Sequence, residues 1–136
     1  MAECIFCKIG GGEIPSYKVY EDEHALAFLD VKPHAQGHTV VVPKNHVELI
    51  FNLPEKALKE LMLAALKTME IIQRKLHPDG FNVGWNHAPA GGQVVPHLHI
   101  HILPRYQGDG GGSMHSIVNH PGNRGVEEVA KMLARQ

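Results

Sequence analysis

The sequence has no excess of charge of either sign and no long apolar run. Thirteen lysine and arginine residues face fourteen aspartate and glutamate residues, which leaves a formal net charge of −1. This balance argues against a surface that coats nucleic acid, and the lack of a run of membrane-spanning length argues against a membrane protein. The start, Met-Ala-Glu-Cys-Ile-Phe-Cys, also lacks a basic segment followed by an apolar one. We therefore expect no signal peptide and a cytoplasmic protein.

Short β-type segments surround one long helical segment. The chain has 136 residues, 43% of them hydrophobic, which is enough for one domain with a proper core. Extended patterns occur at residues 17–20, 24–30, 38–43, 81–86 and 97–104, and a short amphipathic helix is predicted at 126–135. Because strands outnumber helices and follow one another through short turns, we predict an α+β domain with helices on one side of an antiparallel sheet.

The long helical segment has the clearest apolar stripe. The stripe consists of Leu58, Met62, Ala65, Met69, Ile72 and Leu76, and Leu61, Leu66 and Ile71 widen it. These spacings place the stripe on one helical face, which could serve the core alone or the core and a partner subunit together. Asn52 followed by Glu55 resembles a capping box at its start, and residues 77–80 are expected to end the helix.

Three histidines stand at alternate positions near the end of the sequence. They are His97, His99 and His101, separated by Leu98 and Ile100 and followed by Ile102. In an extended strand, residues two apart share a face, so the imidazoles would line one face and the apolar side chains would enter a core. Imidazoles side by side repel when protonated and need partners when neutral. We therefore expect this row to serve chemistry.

Three interpretations of the row compete. It could be a polar sheet face without chemistry, or a metal site, since His-x-His on a strand is a common metal grip. It could also hold a nucleophile, because a neutral imidazole attacks phosphorus near neutral pH and its neighbours can bind phosphoryl oxygens. The flanking Gly91-Gly92-Gln93 and Asn86 favour phosphate chemistry, since glycines let backbone N–H groups approach an anion and amides add donors.

The two cysteines give a separate signal. Cys4 and Cys7 have the spacing of half a zinc site or of a redox pair. A redox pair would need a βαβ context, which the pattern does not show. His46 and His97 could complete a Cys₂His₂ structural site, and two ordinary buried thiols are the alternative.

Taken together, these motifs resemble the histidine triad (HIT) superfamily of nucleotide hydrolases and transferases. The resembling segments are Cys4-Ile5-Phe6-Cys7-Lys8-Ile9, Gly12-Glu13-Ile14-Pro15, Phe28-Leu29-Asp30, residues 38–43 with His46, Asn82-Val83-Gly84-Trp85-Asn86, Gly91-Gly92-Gln93 and residues 97–105. The resemblance implies one HIT domain over residues 1–136, with a five-stranded antiparallel sheet, one long helix and a short C-terminal helix. It also implies a homodimer paired through the long helix and a central strand.

The resemblance implies a role for each histidine of the row. His99 would attack the α-phosphorus of a purine nucleotide and form a nucleotidyl-histidine that water then cleaves. His101 would contact the phosphate and assist departure of the leaving group, and His38 would join this network. Members of the superfamily that begin with Cys-x-x-Cys often carry zinc. The resemblance therefore implies a structural zinc held by Cys4, Cys7, His46 and His97, and no catalytic metal.

The resemblance also implies how the nucleotide is bound. Asn86, Gly92 and Gln93 would hold phosphate oxygens beside His99, and Asp30 would accept hydrogen bonds from the ribose. The base would lie in an apolar slot formed by Ile5, Phe6, Ile9, Phe28, Leu29 and Val31.

The sequence departs from the superfamily pattern after the Gly-Gly-Gln motif. Many members have Ser or Thr there, where this chain has Val94, so one hydroxyl donor to phosphate is missing. Arg105 with Gly108-Asp109-Gly110 is more similar to dinucleoside polyphosphate hydrolases, and Arg105 could reach a longer phosphate chain or be an ordinary charge at a strand end.

Three functional hypotheses follow from the sequence. The first is an enzyme, either a nucleoside phosphoramidase or a dinucleoside polyphosphate hydrolase. The alternatives are a metal-dependent hydrolase that uses the row as ligands and a nucleotide-binding scaffold with little catalysis. The expected partners are a purine nucleotide and a second copy of the chain, with no nucleic acid and no membrane.

Overall fold

The computed structural model describes residues 3–134. Its helices are α1 (Ile5–Gly10), α2 (Glu55–Leu76) and α3 (Val126–Ala134), and its strands are β1 (Lys18–Glu21), β2 (Ala25–Leu29), β3 (Thr39–Pro43), β4 (Gly80–Gly84) and β5 (Ile100–Arg105). Arg135, the last residue of the predicted C-terminal helix, lies outside the described residues. No helix in this part of the chain is long and apolar enough to cross a bilayer.

The five strands form one antiparallel sheet in the order β1-β2-β3-β5-β4, which confirms the predicted fold class. Phe28 lies opposite Val40, and Val40 lies opposite His101. On the other side of β5, His101 lies opposite Gly84. Because directly opposed residues share a face of a sheet, these positions mark one face, and His101 is the imidazole at its centre.

Both faces of the sheet are covered at its central strands. The face opposite His101 packs on α2 through a cluster that includes Val41, Ile100 and Ile102. The His101 face is covered in part by α1, whose Ile9 and Phe6 pack on Phe28 and its neighbours. The prediction that helices lie on one side is therefore wrong for α1. All of Thr39–Pro43 is buried, as the continuous apolar run predicts.

The buried face of α2 is rotated from the predicted stripe. The residues of α2 that are buried against the sheet are Leu61, Ala64, Ala65, Thr68 and Ile72. Met62 and Leu76, which belong to the predicted stripe, are exposed by 45% and 39%. Small side chains allow a helix to approach a sheet closely, and the Thr68 hydroxyl is satisfied by donating to the Ala64 carbonyl. The large apolar side chains therefore predicted a face of α2 that only partly coincides with the face that packs against the sheet.

The predicted end of α2 agrees with the structure, but its predicted N-terminal cap does not. The helix begins at Glu55 with Pro54 at its N-cap and no capping side chain, so the capping box of Asn52 is wrong. Asn52 instead lies in a 3-10 turn. At the other end, His77 adopts the left-handed conformation with φ of 52°, and Pro78 prevents the helix from continuing.

Candidate active site and metal centre

The histidine row lies where the chain enters β5. Only His101 is in the strand, because the ladder begins at Ile100 rather than at residue 97. The alternation nevertheless holds, since Leu98 and Ile100 are buried in the cluster under α2. On the opposite face, the ring of His99 lies 4.9 Å from that of His101. The row therefore has the predicted arrangement with only part of the predicted strand.

Cys4, Cys7, His46 and His97 converge at the start of the row, with their ligand atoms within 4.8 Å of one another. Nδ1 of His97 lies 3.3 Å from Sγ of Cys4 and 3.2 Å from Nδ1 of His46. Sγ of Cys7 lies 3.3 Å from Nδ1 of His46. Tetrahedral zinc with ordinary bond lengths places two nitrogens about 3.3 Å apart and a sulfur and a nitrogen about 3.5 Å apart. The four predicted ligands therefore fit zinc in both chemistry and spacing.

The groups around this cluster hold its side chains in a state in which they can bind a metal. Nε2–H of His97 donates to the Pro43 carbonyl at 2.9 Å, which leaves Nδ1 as the free lone pair facing the thiols. The Cys7 amide donates to Sγ of Cys4. Burial lowers the pKa of His97 below its ordinary value, so this imidazole is kept neutral, as a metal ligand must be.

His99 is held by the backbone of the same row. It is 7% exposed, and its Nδ1 lies 2.7 Å from the carbonyl oxygen of His97. A carbonyl oxygen can only accept, so Nδ1 carries the proton and Nε2 carries a lone pair. The ring of Phe6 packs against it edge-on at 5.0 Å. His99 therefore presents the tautomer and the fixed orientation that a nucleophile needs.

His38 and His101 form a directed pair beside His99. The backbone N–H of His34 donates to Nδ1 of His38 at 3.2 Å, so the proton of neutral His38 is on Nε2. Nε2 of His38 then donates to Nδ1 of His101 at 2.9 Å, which leaves the proton of His101 on Nε2. Burial, with smaller effects from His99 and His38, lowers the pKa of His101 to about 4, and burial also lowers the pKa of His38.

Asp30 completes a second cluster with His38 and His101, whose ligand atoms also lie within 4.8 Å of one another. Oδ2 of Asp30 is 3.7 Å from Nε2 of His38, and Oδ1 accepts from the Lys32 amide at 2.9 Å. Binding a cation at Nε2 of His38 would require the proton to move to Nδ1, where it would oppose the His34 N–H. This geometry favours a hydrogen-bond relay over a metal site.

The predicted nucleoside slot divides into core and surface. Ile9 and Phe28 are buried in the cluster under α1. Phe6 bridges this cluster to the row, with its ring 5.7 Å from that of Phe28. The members that expose apolar surface are Ile5, Leu29 and Val31. Phe6, Ile9 and Phe28 thus lie on the face of the sheet that carries His101. Leu29 follows Phe28 in β2 and lies opposite Thr39, which lies opposite Ile102 on the α2 face, so the structure does not bring Leu29 to the row.

Gly92 and Gln93 do not present free donors to the row. The Gly92 N–H donates to the Pro89 carbonyl, and the Gln93 N–H donates to the Ala88 carbonyl. The Gln93 side chain accepts from the Ala88 amide at 2.8 Å and donates to the Glu48 and Val95 carbonyls. The predicted phosphate contacts of Gly92 and Gln93 would therefore need this loop to rearrange, because these groups already bind the chain.

Asn86 is better placed for an anion. It is exposed at the end of β4, and it lines the same cavity as His101. A Cβ added to Gly92, which has a φ of 98°, would lie 3.5 Å from Cγ of Asn86. Gly92 thus supports the Asn86 side chain from behind, which explains a glycine here without a direct contact to phosphate.

The residues that enclose the cavity beside His101 could hardly be predicted from the sequence. The cavity has a volume of about 600 Å³, and the glycine-rich segment after β5 forms one of its walls. Arg105 fixes that segment, since Nε and Nη2 both donate to the Asp109 carboxylate at 2.8 Å. Nη1 donates to Asn82 and to the Gly112 carbonyl. Only the glycine content and the single tryptophan, Trp85, could have suggested a wall here.

The comparison with known proteins matches the part of the chain that contains the histidine row. Residues 11–108 match the model of the HIT domain. An uncharacterised HIT-like protein of Methanocaldococcus jannaschii is 51% identical over 107 residues, which are 79% of this chain and 82% of that protein. The adenosine 5′-monophosphoramidase of Saccharomyces cerevisiae is 36% identical over 104 residues, which are 76% of this chain and 63% of that enzyme.

The folds of solved structures match that of this protein along nearly the whole chain. The crystal structure of a HIT family member from Bacillus subtilis has a TM-score of 0.84 at 41% identity, covering 97% of this chain and 93% of that one. A zinc-bound histidine triad family protein from Mycobacterium smegmatis has a TM-score of 0.75 at 32% identity, covering 97% of this chain and 91% of that one. Since the domain match covers well over half of the chain and the sheet and histidine row agree with it, the chain belongs to the HIT domain family.

Proposed function

We propose that the protein hydrolyses nucleotides at the α-phosphate through a covalent intermediate on His99. The observation that carries the proposal is the bond from Nδ1–H of His99 to the His97 carbonyl at 2.7 Å. This bond leaves the Nε2 lone pair as the reactive atom and holds the ring in place before substrate arrives. The relationship to an adenosine 5′-monophosphoramidase supports the same chemistry.

The reaction consists of two displacements at phosphorus. In the first, Nε2 of His99 forms a bond to the α-phosphorus while the bond to the leaving group breaks, and the leaving group takes a proton from solvent as Nε2–H of His101 donates a hydrogen bond to it. In the second, a water oxygen bonds to phosphorus, the P–N bond breaks and the proton of that water returns to solvent. The product is a nucleoside monophosphate, and the leaving group is an amine or a phosphate chain.

Asn86 and Asp30 orient the nucleotide for these steps. The Asn86 amide binds an oxygen of the α-phosphate, because it is an exposed amide that follows β4 and shares a cavity wall with His101. Asp30 accepts hydrogen bonds from the ribose with Oδ2, since Oδ1 is already bound to the Lys32 amide. A purine base lies against Phe6 and the exposed apolar side chains Ile5 and Val31.

We propose that Cys4, Cys7, His46 and His97 hold a structural zinc ion. Such an ion ties α1 to the loop after β3 and to the start of the row, and it supplies folding energy rather than reactivity. Because zinc requires reduced thiols, this site also supports the cytoplasmic location that the sequence predicts.

We further propose a homodimer that pairs through α2 and β4. Met62, Leu63 and Leu66 expose apolar surface on α2, by 45%, 51% and 50%. β4 is an edge strand of the sheet, and pairing it with its copy would make it central in a continuous sheet. This arrangement explains why the predicted stripe of α2 is wider than its buried face.

The intermediate itself provides the direct test. We would mix the protein with an adenosine 5′-phosphoramidate, quench in mild base, where a phosphorus–nitrogen bond survives, and locate any added mass by peptide mass spectrometry. We expect one nucleotidyl group on His99. An adduct on another residue, or hydrolysis that needs a chelatable metal beyond the Cys–His site, would contradict the mechanism. Binding of adenosine monophosphate with no turnover of any substrate would favour a scaffold.

A further inference from the structure

The short helix α1 carries residues of two proposed sites at once. Its N-cap residue, Cys4, and its third residue, Cys7, belong to the Cys–His cluster. Phe6 lies between them in the sequence, and its ring is 5.0 Å from that of His99. Ile5, on the same helix, is 46% exposed. Two of the three side chains that we propose to contact the base therefore stand on the helix that provides two of the four proposed zinc ligands.

The attachment of α1 to the sheet depends on the two cysteines. Within the described residues 3–16, every backbone hydrogen bond is made inside this segment. The polar contacts that leave the segment are those of Cys4 and Cys7 with the two histidines of the cluster. The remaining attachment is the apolar packing of Phe6, Ile9 and Ile14. The thiols are thus the polar link between α1 and the rest of the domain.

The helix α1 is too short to persist by itself. It has six residues, whereas an isolated helix shorter than about 12 to 15 residues is marginal in water. Its first turn is closed by Sγ of Cys4, which accepts from the Cys7 amide. A change at this sulfur therefore acts on the cluster and on the helix cap together. We expect α1 to fray away from His99 when the thiols no longer bind across to the histidines.

The row and the proposed phosphate and ribose ligands have attachments of their own. The Leu98 amide donates to the Val47 carbonyl at 2.7 Å, and the Leu98 side chain is buried. His101 lies within β5, Asp30 directly follows β2, and Asn86 lies shortly after β4. A disturbance of the Cys–His cluster should therefore act on the base side of the nucleotide site more than on its phosphate side.

We propose that the Cys4–Cys7 pair is a redox-sensitive switch for nucleoside binding, in which oxidation of the two thiolates to a disulfide releases the zinc ion and detaches α1 with Phe6 from the base. The inference rests on the proposed nucleotide binding and on the proposed zinc site. The sulfur atoms of the pair lie within 4.8 Å of one another. Cys7 is half-buried, so an oxidant reaches it before the buried Cys4. The chain has no third cysteine to compete for the disulfide.

Hydrogen peroxide illustrates the balance of the reaction. The Cys7 thiolate attacks one peroxide oxygen, the O–O bond breaks, and the departing hydroxide takes a proton from solvent to become water. The Cys4 thiolate then attacks the sulfur of the resulting sulfenic acid, the S–S bond forms, and a second hydroxide leaves and is protonated to water. The two sulfurs supply the two electrons. Zinc loses two of its four ligands and leaves to solvent.

Two ligands that differ in the base test the proposal, adenosine monophosphate and ribose 5-phosphate. We would measure both affinities by calorimetry on the zinc-loaded protein, before and after treatment with diamide, a thiol oxidant whose N=N bond is reduced to a hydrazine. Oxidation should weaken binding of adenosine monophosphate by about tenfold or more, since contact with an aromatic ring is lost. Binding of ribose 5-phosphate should weaken by less than about threefold. Equal losses for the two ligands, or no loss, would overturn the inference.

The metal gives a readout that does not depend on turnover. A chromophoric chelator should detect one zinc ion released per chain on oxidation, and a thiol reductant with added zinc should restore the affinity for adenosine monophosphate. Because coupling between two ligands is reciprocal, saturating adenosine monophosphate should raise the affinity for zinc by the same factor. Ribose 5-phosphate should not. Oxidation that releases no zinc would contradict the switch.

Variants separate the effect of Phe6 from a general loss of structure. Phe6→Ala keeps the four proposed zinc ligands and should bind adenosine monophosphate more weakly, and oxidation should then change its affinity by less than about threefold. Phe51→Ala is the matched control, because Phe51 is 83% exposed and its ring packs against His87. It should respond to oxidation as the wild type does. Cys7→Ser should bind adenosine monophosphate weakly without any oxidant and should not respond to diamide. Circular dichroism establishes that each variant is folded.

The outcomes distinguish this inference from the proposed function. If oxidised wild type binds adenosine monophosphate as before, or if Phe6→Ala responds to oxidation as fully as wild type, the switch is wrong although nucleotide hydrolysis stands. If the zinc-loaded protein does not bind adenosine monophosphate, the proposed function fails and this inference fails with it.

Discussion

Nδ1 of His99 lies 2.7 Å from the backbone carbonyl oxygen of His97, so the residue that begins the row fixes the tautomer of the next histidine. His97 is itself held by Pro43 through Nε2 and faces the thiols with Nδ1. The Cys–His cluster and the proposed nucleophile therefore share one piece of backbone. Through this backbone, an ion held by the Cys–His cluster would orient the proposed nucleophile without touching substrate.

The first prediction concerns His99 as nucleophile. The substitution His99→Ala should lower kcat/KM by about four orders of magnitude or more, because the covalent route is lost. Affinity for adenosine monophosphate, measured by calorimetry, should change by less than about fivefold, since the phosphate and ribose ligands remain. His120→Ala, at an exposed position far along the tail, is the control. Retention of more than about a tenth of the activity would refute the role of His99.

The second prediction concerns zinc. Metal analysis of the purified protein should find one zinc per chain, and Cys7→Ser should lose it because a thiolate ligand is removed. His99→Ala should keep its zinc, since His99 is not among the four converging residues. Loss of the metal should also lower the melting temperature by several degrees or more. A variant at His99 that loses zinc would instead indicate a metal bound by the row.

The third prediction concerns pH. The pKa of His101 falls from 6.5 to about 4 on folding, so between these values the unfolded chain binds the proton and the folded chain does not. Stability is therefore full above pH 6.5 and is lost as the pH falls toward 4. The loss attributable to His101 is at most about 3 kcal/mol. Urea unfolding of His101→Asn should show a shallower decline over this range than the wild type, and parallel curves would contradict the expectation.

The fourth prediction concerns the Arg105–Asp109 pair. Asp109→Ala removes the carboxylate that accepts from Nε and Nη2 of Arg105 and leaves the bond of Nη1 to the Gly112 carbonyl, so the attachment of the segment after β5 should weaken. Because the pair is exposed, global stability should change little. Hydrogen exchange of the amides at residues 108–117 should become faster, whereas that of β5 should not. Arg124→Ala, which disturbs a longer contact of 3.8 Å with Glu128, is the control for tail charge.

The fifth prediction concerns the homodimer. Light scattering should give twice the mass of the chain, and Leu66→Glu should shift it toward the monomer, since a charge would enter an apolar interface. Lys67→Glu changes the charge of the next residue on α2, which is exposed and polar, and should leave the mass unchanged. A wild-type monomer at micromolar concentration would refute the dimer.

The predictions that agree with the structure depended on the periodicity of polar and apolar residues along one segment of the chain. The alternation of His97, His99 and His101 with apolar residues places one set on the site and the other in the core, although the ladder covers only part of the row. The failures came from features that periodicity does not encode. Thr68 is a core residue because its hydroxyl is bound by its own helix, and Asn52 is not a cap because the chain forms a 3-10 turn first.

The loop that contains Gly91-Gly92-Gln93 shows most clearly what could not be predicted from the sequence. A Gly-Gly-Gln motif beside the row suggests free donors, but the donors of Gly92 and Gln93 are used within the loop and with the Glu48 carbonyl. A sequence lists donors without showing which acceptors lie near them. Arg105 is a similar case, because only the folded chain shows that Asp109 occupies it.

The sequence by itself determined the fold class and the alternation of the row, since these depend on residue type and on spacing along the chain. It offered Cys4, Cys7, His46 and His97 as candidate zinc ligands, and only the folded chain shows that they converge. The tertiary structure alone decided the tautomers of the histidines and the place of the cavity beside His101. Both depend on contacts between distant segments: His34 with His38, His38 with His101, and the tail with Gly84. Such contacts are set by how strands pair and how loops close, and the spacing of residues along one segment does not contain that information.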